Sequence, residues 1–243
     1  MKTYDNYLFD LYGTLVDIHT DEDDLVLWQQ MCVLLSMDGI AFTPEELRKQ
    51  FRFTVEALAQ NKRKESGSGI EIDIRDVFAS FFPSYVKALN DAHIDHLAHI
   101  FRILSTHKLR LYPGVSQMLQ ELKQRGKKLF LLSNAQAVFT LPELQALDLE
   151  RYFDGIIISS SEGFKKPDLR FYQLAMERYQ LMAQNTVMVG NDDVADCWGA
   201  ANAGMDSYYI NTEQSPVREK ELPDNSVELK QITDLLFMVR SSD

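Results

Sequence analysis

The stretch FDLYGTLVD (Phe9–Asp17) begins at the end of an apolar run, and Asp10 is the first carboxylate after that run. Gly13 and Thr14 then provide residues that favour a turn. Open α/β sheets place their ligands and reactive groups outside the carboxyl ends of the strands, which makes Asp10 a candidate reactive carboxylate. A second carboxylate two residues later would complete an acid–base pair, but Tyr12 stands at that position.

Further apolar runs have the length and the Ile, Val and Leu content of strands that are buried on both faces. Together with a first strand at Tyr7–Asp10, they are Leu129–Ser133, Gly155–Ser160, Thr186–Gly190 and Ser207–Asn211. Apolar residues at i, i+3, i+4 and i+7 predict helices that start near Val115, after the N-cap Asp168, and near Ile232. Five strands joined by helices predict an α/β fold with a doubly wound parallel sheet.

Residues 18–107 show no strand pattern and are predicted to form an inserted domain made of helices only. The predicted helices are Leu25–Met37, which should be buried, Pro44–Lys64, Asp73–Asn90 with a kink or break at Pro83, and Ile94–Thr106. We therefore divide the chain into an α/β core, residues 1–16 and 108–243, and a helical cap, residues 17–107.

Composition restricts the possible partners and the compartment. The formal net charge of the 243 residues is -11, which argues against nucleic acid or an anionic membrane as a partner. The charge does not exclude an anionic small-molecule substrate, because a few local cations or a metal can reverse the local field. Two isolated cysteines, Cys32 and Cys197, and an N-terminus without the apolar core of a signal peptide predict a cytoplasmic protein.

Polar groups follow the predicted strands, and a parallel sheet gathers them at one edge. They are Asp10 and Thr14, Ser133 and Asn134, Lys166, and the acidic run Asn191, Asp192, Asp193 and Asp196. Asp10 is the candidate nucleophile, and Lys166 is the cation that neutralises it and then holds a phosphoryl oxygen. Ser133 and Asn134 can donate hydrogen bonds to the same oxygens. Asp192, together with Asp10, supplies the oxygen ligands that Mg²⁺ prefers.

Four segments carry a family resemblance. FDLYGTL, LLSNA, FKKPD and VGNDDVADCWGAANAG resemble, in order and position, the four motifs of the haloacid dehalogenase-like hydrolase superfamily. The resemblance covers residues 1–16 and about 108–240, and the insert resembles the helical cap of that family. It implies a Rossmann-like core, Asp10 as the nucleophile, Ser133 as the hydroxyl of the second motif and Lys166 as the lysine of the third.

These considerations predict the residues of the site in four groups. The catalytic residues are Asp10, Tyr12, Thr14, Ser133 and Lys166; Gly13 and Asn134 bind substrate; Asp10, Tyr12 and Asp192 hold the metal; Asn191 and Asp196 support the others. Backbone amides near Tyr12 are expected to bind phosphoryl oxygens. We interpret Asp193 as a solvated or capping carboxylate.

The first and fourth motifs point to different branches of the family. Phosphatases of this superfamily carry a second aspartate where Tyr12 stands, and in this the chain is similar to the metal-free haloacid dehalogenases, whose halide leaves without a proton. The acidic fourth motif instead favours a cation, because neighbouring carboxylates repel one another unless a cation neutralises them. Dehalogenases also use a cap arginine, and the first arginine after motif one is Arg48.

The predicted function is a Mg²⁺-dependent phosphatase of a small phosphorylated metabolite, in which Asp10 attacks phosphorus. The alternative enzyme is a 2-haloacid dehalogenase, in which Asp10 displaces halide from carbon. A third possibility, from another class, is a weakly catalytic scaffold that binds a ligand or a partner.

Overall fold

The computed structural model describes residues 2–82 and 90–240, and eight strands are found there. In chain order they are β1 (Asn6–Phe9), β2 (Val16–Thr20), β3 (Thr106–Leu111), β4 (Lys128–Ser133), β5 (Gly155–Ile158), β6 (Thr186–Gly190), β7 (Asp206–Ile210) and β8 (Ser226–Leu229). All except β2 and β3 form one parallel sheet in the order β5-β4-β1-β6-β7-β8. This order confirms the doubly wound α/β fold and places β1 between β4 and β6.

The described α-helices agree with most of the predicted helices. They are α1 (Leu25–Met37), α2 (Pro44–Ser66), α3 (Ile74–Ala79), α4 (Asp91–Ser105), α5 (Val115–Gln124), α6 (Ala137–Ala146), α7 (Ser159–Glu162), α8 (Leu169–Tyr179), α9 (Gly199–Asn202) and α10 (Leu235–Arg240). Asp168 caps α8 by accepting a hydrogen bond from the amide of Arg170. The prediction of a helix over Asp73–Asn90 is wrong at its ends, because α3 ends at Ala79 and Asn90 is the N-cap of α4; the predicted break at Pro83 lies outside the described residues. Within the described ranges, none of the helices has the length and apolar character needed to span a bilayer.

The strands of the sheet are buried on both faces, as their unbroken apolar runs predict. In β1, Tyr7 and Phe9 contribute to the apolar cluster on one face of the sheet, and Leu8 contributes to the cluster on the other. Phe9 pairs with Leu131 in β4 and with Val189 in β6. Residue 10 therefore leaves the sheet at its centre, at the edge where parallel α/β folds bind ligands.

The cap has an aromatic core of its own. Trp28 of α1 packs 5.3 Å from Phe51 of α2, and Phe51 packs 5.2 Å from Phe101 of α4, measured between ring centroids. The prediction that α1 is buried on nearly all sides is wrong, because Val33 and Met37 are 60% and 79% exposed. One apolar face of α1 covers the aromatic cluster, and another faces outward.

An antiparallel ribbon of β2 and β3 joins the cap to the core, with Val16 opposite Leu111. The prediction that residues 18–107 contain no strand is therefore wrong. The charged residues of the ribbon interrupt the apolar pattern by which a strand is recognised. Asp17 is nevertheless buried, because its carboxylate pairs with Lys108 at 2.7 Å and accepts a hydrogen bond from Arg110 at 2.9 Å. Burial would raise the pKa of Asp17, but these two cations outweigh burial and lower it. The domain boundaries at residues 17 and 107 remain a prediction, and the ribbon crosses both.

Two other strand predictions need correction. The third predicted strand ends at Ile158, because Ser159 and Ser160 already belong to α7. The strand β8 (Ser226–Leu229), which is the sixth member of the parallel sheet, was not predicted. It lies at the edge of the sheet, where Val227 is 44% exposed, and such a half-exposed strand lacks the continuous apolar run that identified the others.

Candidate active site

Asp10 lies at the centre of the candidate site, directly after β1, and is only 8% exposed. Its backbone amide donates to the carbonyl of Val189 at 2.9 Å, which fixes the residue against the end of β6. One carboxylate oxygen accepts from Lys166 Nζ at 2.8 Å, and the other accepts from Thr14 Oγ at 3.0 Å. These contacts hold an anionic oxygen in a fixed direction, which is the preparation that a nucleophilic carboxylate needs.

The turn that follows Asp10 requires glycine at position 13. Gly13 has a φ of +80°, in the left-handed region, and a Cβ there would lie 2.2 Å from the side-chain nitrogen of Asn191. The Gly13 carbonyl accepts a hydrogen bond from Thr212 Oγ at 2.8 Å, and Asn191 Oδ1 lies 3.3 Å from Thr14 Oγ. The loops after β1, β6 and β7 therefore meet at this glycine.

Lys166 links two carboxylates and is only 3% exposed. Its Nζ lies 2.8 Å from Asp10 and 2.7 Å from Asp196. Burial would lower the pKa of Lys166, but the two carboxylates outweigh burial and raise it, so the lysine is a cation. Burial raises the pKa of the Asp196 carboxyl to about 7, although Lys166 acts in the opposite direction. A Cβ on Gly190 would lie 2.1 Å from the Asp196 carboxylate, so only glycine allows this close approach.

Ser133 and Asn134, at the end of β4, occupy different surroundings. Ser133 Oγ is buried and finds no hydrogen-bond partner within residues 2–82 and 90–240. A buried hydroxyl without a partner is costly, which suits a group that receives its partner from a bound ligand. Asn134 is already engaged, because its side chain donates to the carbonyl of Lys166 at 3.0 Å and accepts from the amide of Lys166 at 2.8 Å. It holds the backbone of the lysine in place.

The carboxylates of the acidic run after β6 have different hydrogen-bond partners. Asp192 caps a π-helical segment, Asp193–Trp198, and its Oδ1 accepts from the amides of Val194 and Ala195 at 2.9 and 2.7 Å. Asp193 points elsewhere and is 1% exposed, so the interpretation as a solvated carboxylate is wrong. It accepts from the amides of Glu219 and Lys220, which lie in a loop, and the N-cap of the segment after β6 is Asp192, so Asp193 is not a helix cap either.

Tyr12 makes contacts that the sequence did not predict. Its hydroxyl donates to the carboxylate of Glu143 and lies 3.1 Å from Thr140 Oγ, both on α6. Arg102 of α4 donates to the same Glu143 at 2.6 Å and places its guanidinium 5.6 Å from the centre of the Tyr12 ring. Burial, followed by the charge of Glu143, raises the pKa of the Tyr12 phenol. Arg102 is thus the cap arginine next to Tyr12, whereas Arg48 donates to the carbonyl of Asp23.

Asp10, Tyr12, Lys166, Asp192 and Asp196 all line one cavity of about 180 Å³. The structure therefore brings together most of the residues that the strand ends predicted. Three of these residues are carboxylates and one is an ammonium, so the charged groups in this wall carry a formal charge of about -2 when all are ionised. An anionic substrate would meet repulsion there unless a cation entered with it.

Beside the site, the cap segment 69–74 is hydrogen-bonded to the core. The side chain of Gln136 donates to the carbonyl of Ile72 at 3.0 Å and accepts from the amide of Ile74 at 2.8 Å, as a neighbouring strand would. Two backbone hydrogen bonds extend the contact, from residue 71 to the carbonyl of Gly163 and from Lys165 to the carbonyl of residue 69. The loops that carry Asn134 and Lys166 are thus attached to the cap.

A parallel α/β core with a helical cap, and with charged side chains gathered at the carboxyl ends of its strands, is the architecture of a class of hydrolases. The chain belongs to the haloacid dehalogenase-like hydrolases, whose family model matches residues 4–204. It is a hydrolase of that superfamily, and the predicted family is confirmed.

Relatives include both phosphatases and a dehalogenase. A glyceraldehyde 3-phosphate phosphatase of Methanothermobacter thermautotrophicus is 31% identical over 52% of the chain, and the match spans 56% of that protein. A phosphoglycolate phosphatase of Agrobacterium fabrum is 27% identical, with 95% of the chain and 91% of the relative covered. The (S)-2-haloacid dehalogenase 4A of Burkholderia cepacia is 26% identical over 86% of the chain and 84% of the relative.

Solved structures support the fold. The 2-haloacid dehalogenase of Pseudomonas syringae pv. Tomato superimposes with a TM-score of 0.66 and 18% identity, with both chains fully covered. The HAD-hydrolase YfnB of Bacillus subtilis, solved with bound magnesium, gives a TM-score of 0.57 at 22% identity and covers 98% of this chain and 99% of its own. At these identities the likeness establishes the shared architecture, a Rossmann-like core with a helical cap.

Proposed function

We propose that the protein is a Mg²⁺-dependent phosphatase of a small phosphorylated metabolite, with Asp10 as the nucleophile. One observation carries the proposal: the Asp10 carboxylate is held between Lys166 and Thr14 at the mouth of a small cavity whose wall also carries Asp192. The names of the phosphatase relatives, which concern glyceraldehyde 3-phosphate and phosphoglycolate, support a substrate of this size.

The side chains of the site suit the two steps of such a reaction. An oxygen of Asp10 attacks phosphorus in line, and water then hydrolyses the aspartyl phosphate. Lys166 screens the charge between nucleophile and substrate, and the unpaired hydroxyl of Ser133 donates to a phosphoryl oxygen. The backbone at Tyr12 and Gly13 supplies further amides, and Asn134 positions Lys166.

The residues present fit a magnesium ion. No group of three or more His, Cys, Asp or Glu side chains capable of holding a metal occurs in the described part of the chain. Mg²⁺ does not require one, because it is commonly bound by one or two carboxylates, with waters and substrate phosphate as the other ligands. Asp10, the backbone of Tyr12 and Asp192 would hold it, and it would offset the negative wall of the cavity and the charge of the phosphoryl group. Oδ2 of Asp192 accepts no hydrogen bond from any described residue, which leaves it available to the ion.

The second candidate is a 2-haloacid dehalogenase, and the position of Tyr12 favours it. A tyrosine replaces the second carboxylate, and a partly buried arginine, Arg102, lies beside its ring. The dehalogenase among the relatives adds support. In this reaction Asp10 would attack carbon, and the departing halide would need no proton.

A panel of phosphate esters, acetyl phosphate and 2-chloropropionate, assayed with and without Mg²⁺, separates the two candidates. We expect phosphate release that requires Mg²⁺ and is abolished in Asp10→Asn, since an amide is a poor nucleophile. Intact-mass measurement should show a phosphorylated protein that is absent from that variant. Chloride release without metal, and no phosphate release, would establish the dehalogenase instead.

Asp192 and Asp193 provide a matched pair for the metal. Millimolar Mg²⁺ should raise the melting temperature of the wild type, because a ligand that binds the folded state shifts the unfolding equilibrium. The shift should disappear in Asp192→Asn and persist in Asp193→Asn, whose carboxylate holds backbone amides and faces away from the cavity. A shift that survives in Asp192→Asn would remove this residue from the metal site.

A further inference from the structure

The hydroxyl of Tyr12 is committed to the interior of the protein. It donates its only proton to Glu143, and that carboxylate is itself held by Arg102 through hydrogen bonds of 2.6 and 3.4 Å. Glu143 is 8% exposed, so its charge depends on both partners. To protonate a leaving oxygen in the cavity, Tyr12 would have to abandon a buried carboxylate. The residue that replaces the second aspartate of the phosphatases is thus no proton donor for the substrate.

Most of the other polar side chains that line the cavity are also engaged, and the free oxygen of Asp192 belongs to the carboxylate that we assign to the metal. Lys166 shares its hydrogens between Asp10 and Asp196, and the loss of a proton would leave two buried carboxylates without their cation. Burial raises the pKa of Asp196, but both of its oxygens accept hydrogen bonds, from Lys166 and from the amide of Asp192, so neither is free to carry a proton to the substrate. Gln214 donates to Asp17 at 2.8 Å, and amide side chains do not release protons at neutral pH. Across residues 2–82 and 90–240, no side chain in the cavity wall is placed to protonate a departing oxygen.

This arrangement restricts which bond to phosphorus can break. When an oxygen of Asp10 attacks, the bond between phosphorus and the leaving oxygen breaks, and the electron pair departs with that oxygen. An alkoxide needs a proton at this point, and a positioned general acid is typically worth about 10²–10⁴-fold in rate. A carboxylate, whose acid has a pKa of about 4, departs as the stable anion. In the second step water attacks phosphorus, the pair returns to Asp10, and the proton of the water passes to the solvent.

We propose that the substrates are acyl phosphates, the mixed anhydrides of phosphoric acid and a small carboxylic acid, and not the phosphate esters of alcohols. The proposal rests on the phosphatase function proposed above and narrows it to substrates whose leaving group departs without a proton. The cavity of about 180 Å³ has room for a phosphoryl group that carries a small acyl group. In this respect the chain differs from relatives whose names concern phosphate esters of alcohols.

A leaving-group series tests the proposal in the wild-type protein. Phosphate release in Mg²⁺ at pH 7 would be measured for acetyl phosphate, for phenyl phosphates with graded phenol pKa, and for ethyl phosphate and phosphoglycolate. We expect kcat/KM to fall steeply as the leaving-group pKa rises, with the two alkyl esters at least 100-fold below acetyl phosphate. Tyr12→Asp introduces a carboxyl near the leaving oxygen. In this variant the ratio of kcat/KM for acetyl phosphate to kcat/KM for the alkyl esters should fall by 10-fold or more.

The outcomes distinguish this proposal from the phosphatase function. A flat series, with ethyl phosphate or phosphoglycolate cleaved as fast as acetyl phosphate, would overturn the acyl phosphate proposal and leave the phosphatase intact, since another group would then supply the proton. Failure to cleave any phosphate compound would overturn both. A steep series that becomes shallower in Tyr12→Asp would support the proposal, and an equally steep series in that variant would contradict the role given to position 12.

Discussion

Truncation of Glu143 should destabilise the protein far more than truncation of a surface glutamate. The side chains of Glu143 and Arg102 are 9% and 15% exposed, and they join α6 of the core to α4 of the cap. Removal of one partner from such a buried pair costs about 3–5 kcal/mol, because the other charge stays buried without compensation. In Glu143→Ala the hydroxyl of Tyr12 also loses its acceptor. We expect the free energy of unfolding to fall by about 3 kcal/mol and the melting temperature by about 6–12 °C.

Urea denaturation followed by tryptophan fluorescence measures this loss in both parts of the chain, because Trp28 lies in the cap and Trp198 in the core. The matched control is Glu228→Ala, which removes an ion pair with Arg218 whose side chains are 48% and 38% exposed and should cost less than about 1 kcal/mol. Replacement of both buried partners, Arg102→Met with Glu143→Leu, should recover most of the loss. Equal losses in the two glutamate variants would refute the reasoning.

Three further predictions concern single residues. Ser133→Ala should leave the free energy of unfolding within about 1 kcal/mol of wild type, because its buried hydroxyl has no partner in the described structure. The same variant should raise KM for a phosphorylated substrate about tenfold, and an unchanged KM would count against the role of Ser133 in substrate binding. Gly13→Ala should lower the melting temperature and abolish activity together, since a Cβ at φ +80° would collide with Asn191, and wild-type activity would contradict this. Asp17→Asn should lower the free energy of unfolding, measured by urea titration, at pH 7 and 5 but less at pH 3. The reason is that the lowered pKa of Asp17 contributes stability above about pH 4 that is lost as the pH falls further. A difference between wild type and variant that does not change with pH would contradict this prediction.

The sequence was sufficient for the centre of the fold, and the reason is burial. Strands such as Thr186–Gly190 are covered on both faces, so Val187, Met188 and Val189 form an unbroken apolar run that can be recognised from the sequence alone. The ribbon strand Val16–Thr20 and the edge strand Ser226–Leu229 mix charged and apolar residues. Their strand character depends on pairing partners that lie far away in the chain, which a local pattern does not contain.

The candidate site shows the same division. Asp10 and Lys166 could be placed together from the sequence because each follows a strand, and parallel strands bring their ends to one edge. The contact of Arg102 with Glu143 could not be predicted, since it depends on how α4 of the cap packs on α6 of the core across 41 positions of sequence. The role of Tyr12 as a hydrogen-bond donor to Glu143 could be recognised only from the structure.

The hydrogen bonds that Gln136 and its neighbours make to segment 69–74 have a consequence for how often this segment can separate from the core. The two bonds of the Gln136 side chain and the two backbone bonds to Gly163 and from Lys165 make four, and each has a net worth of about 0.5–1.5 kcal/mol. Their rupture would cost about 2–6 kcal/mol, which corresponds to an open population between about one molecule in 30 and one in 20,000. A substrate that enters only the open form binds more weakly by that factor. The amide of Ile74 would report the opening directly, through its rate of hydrogen exchange.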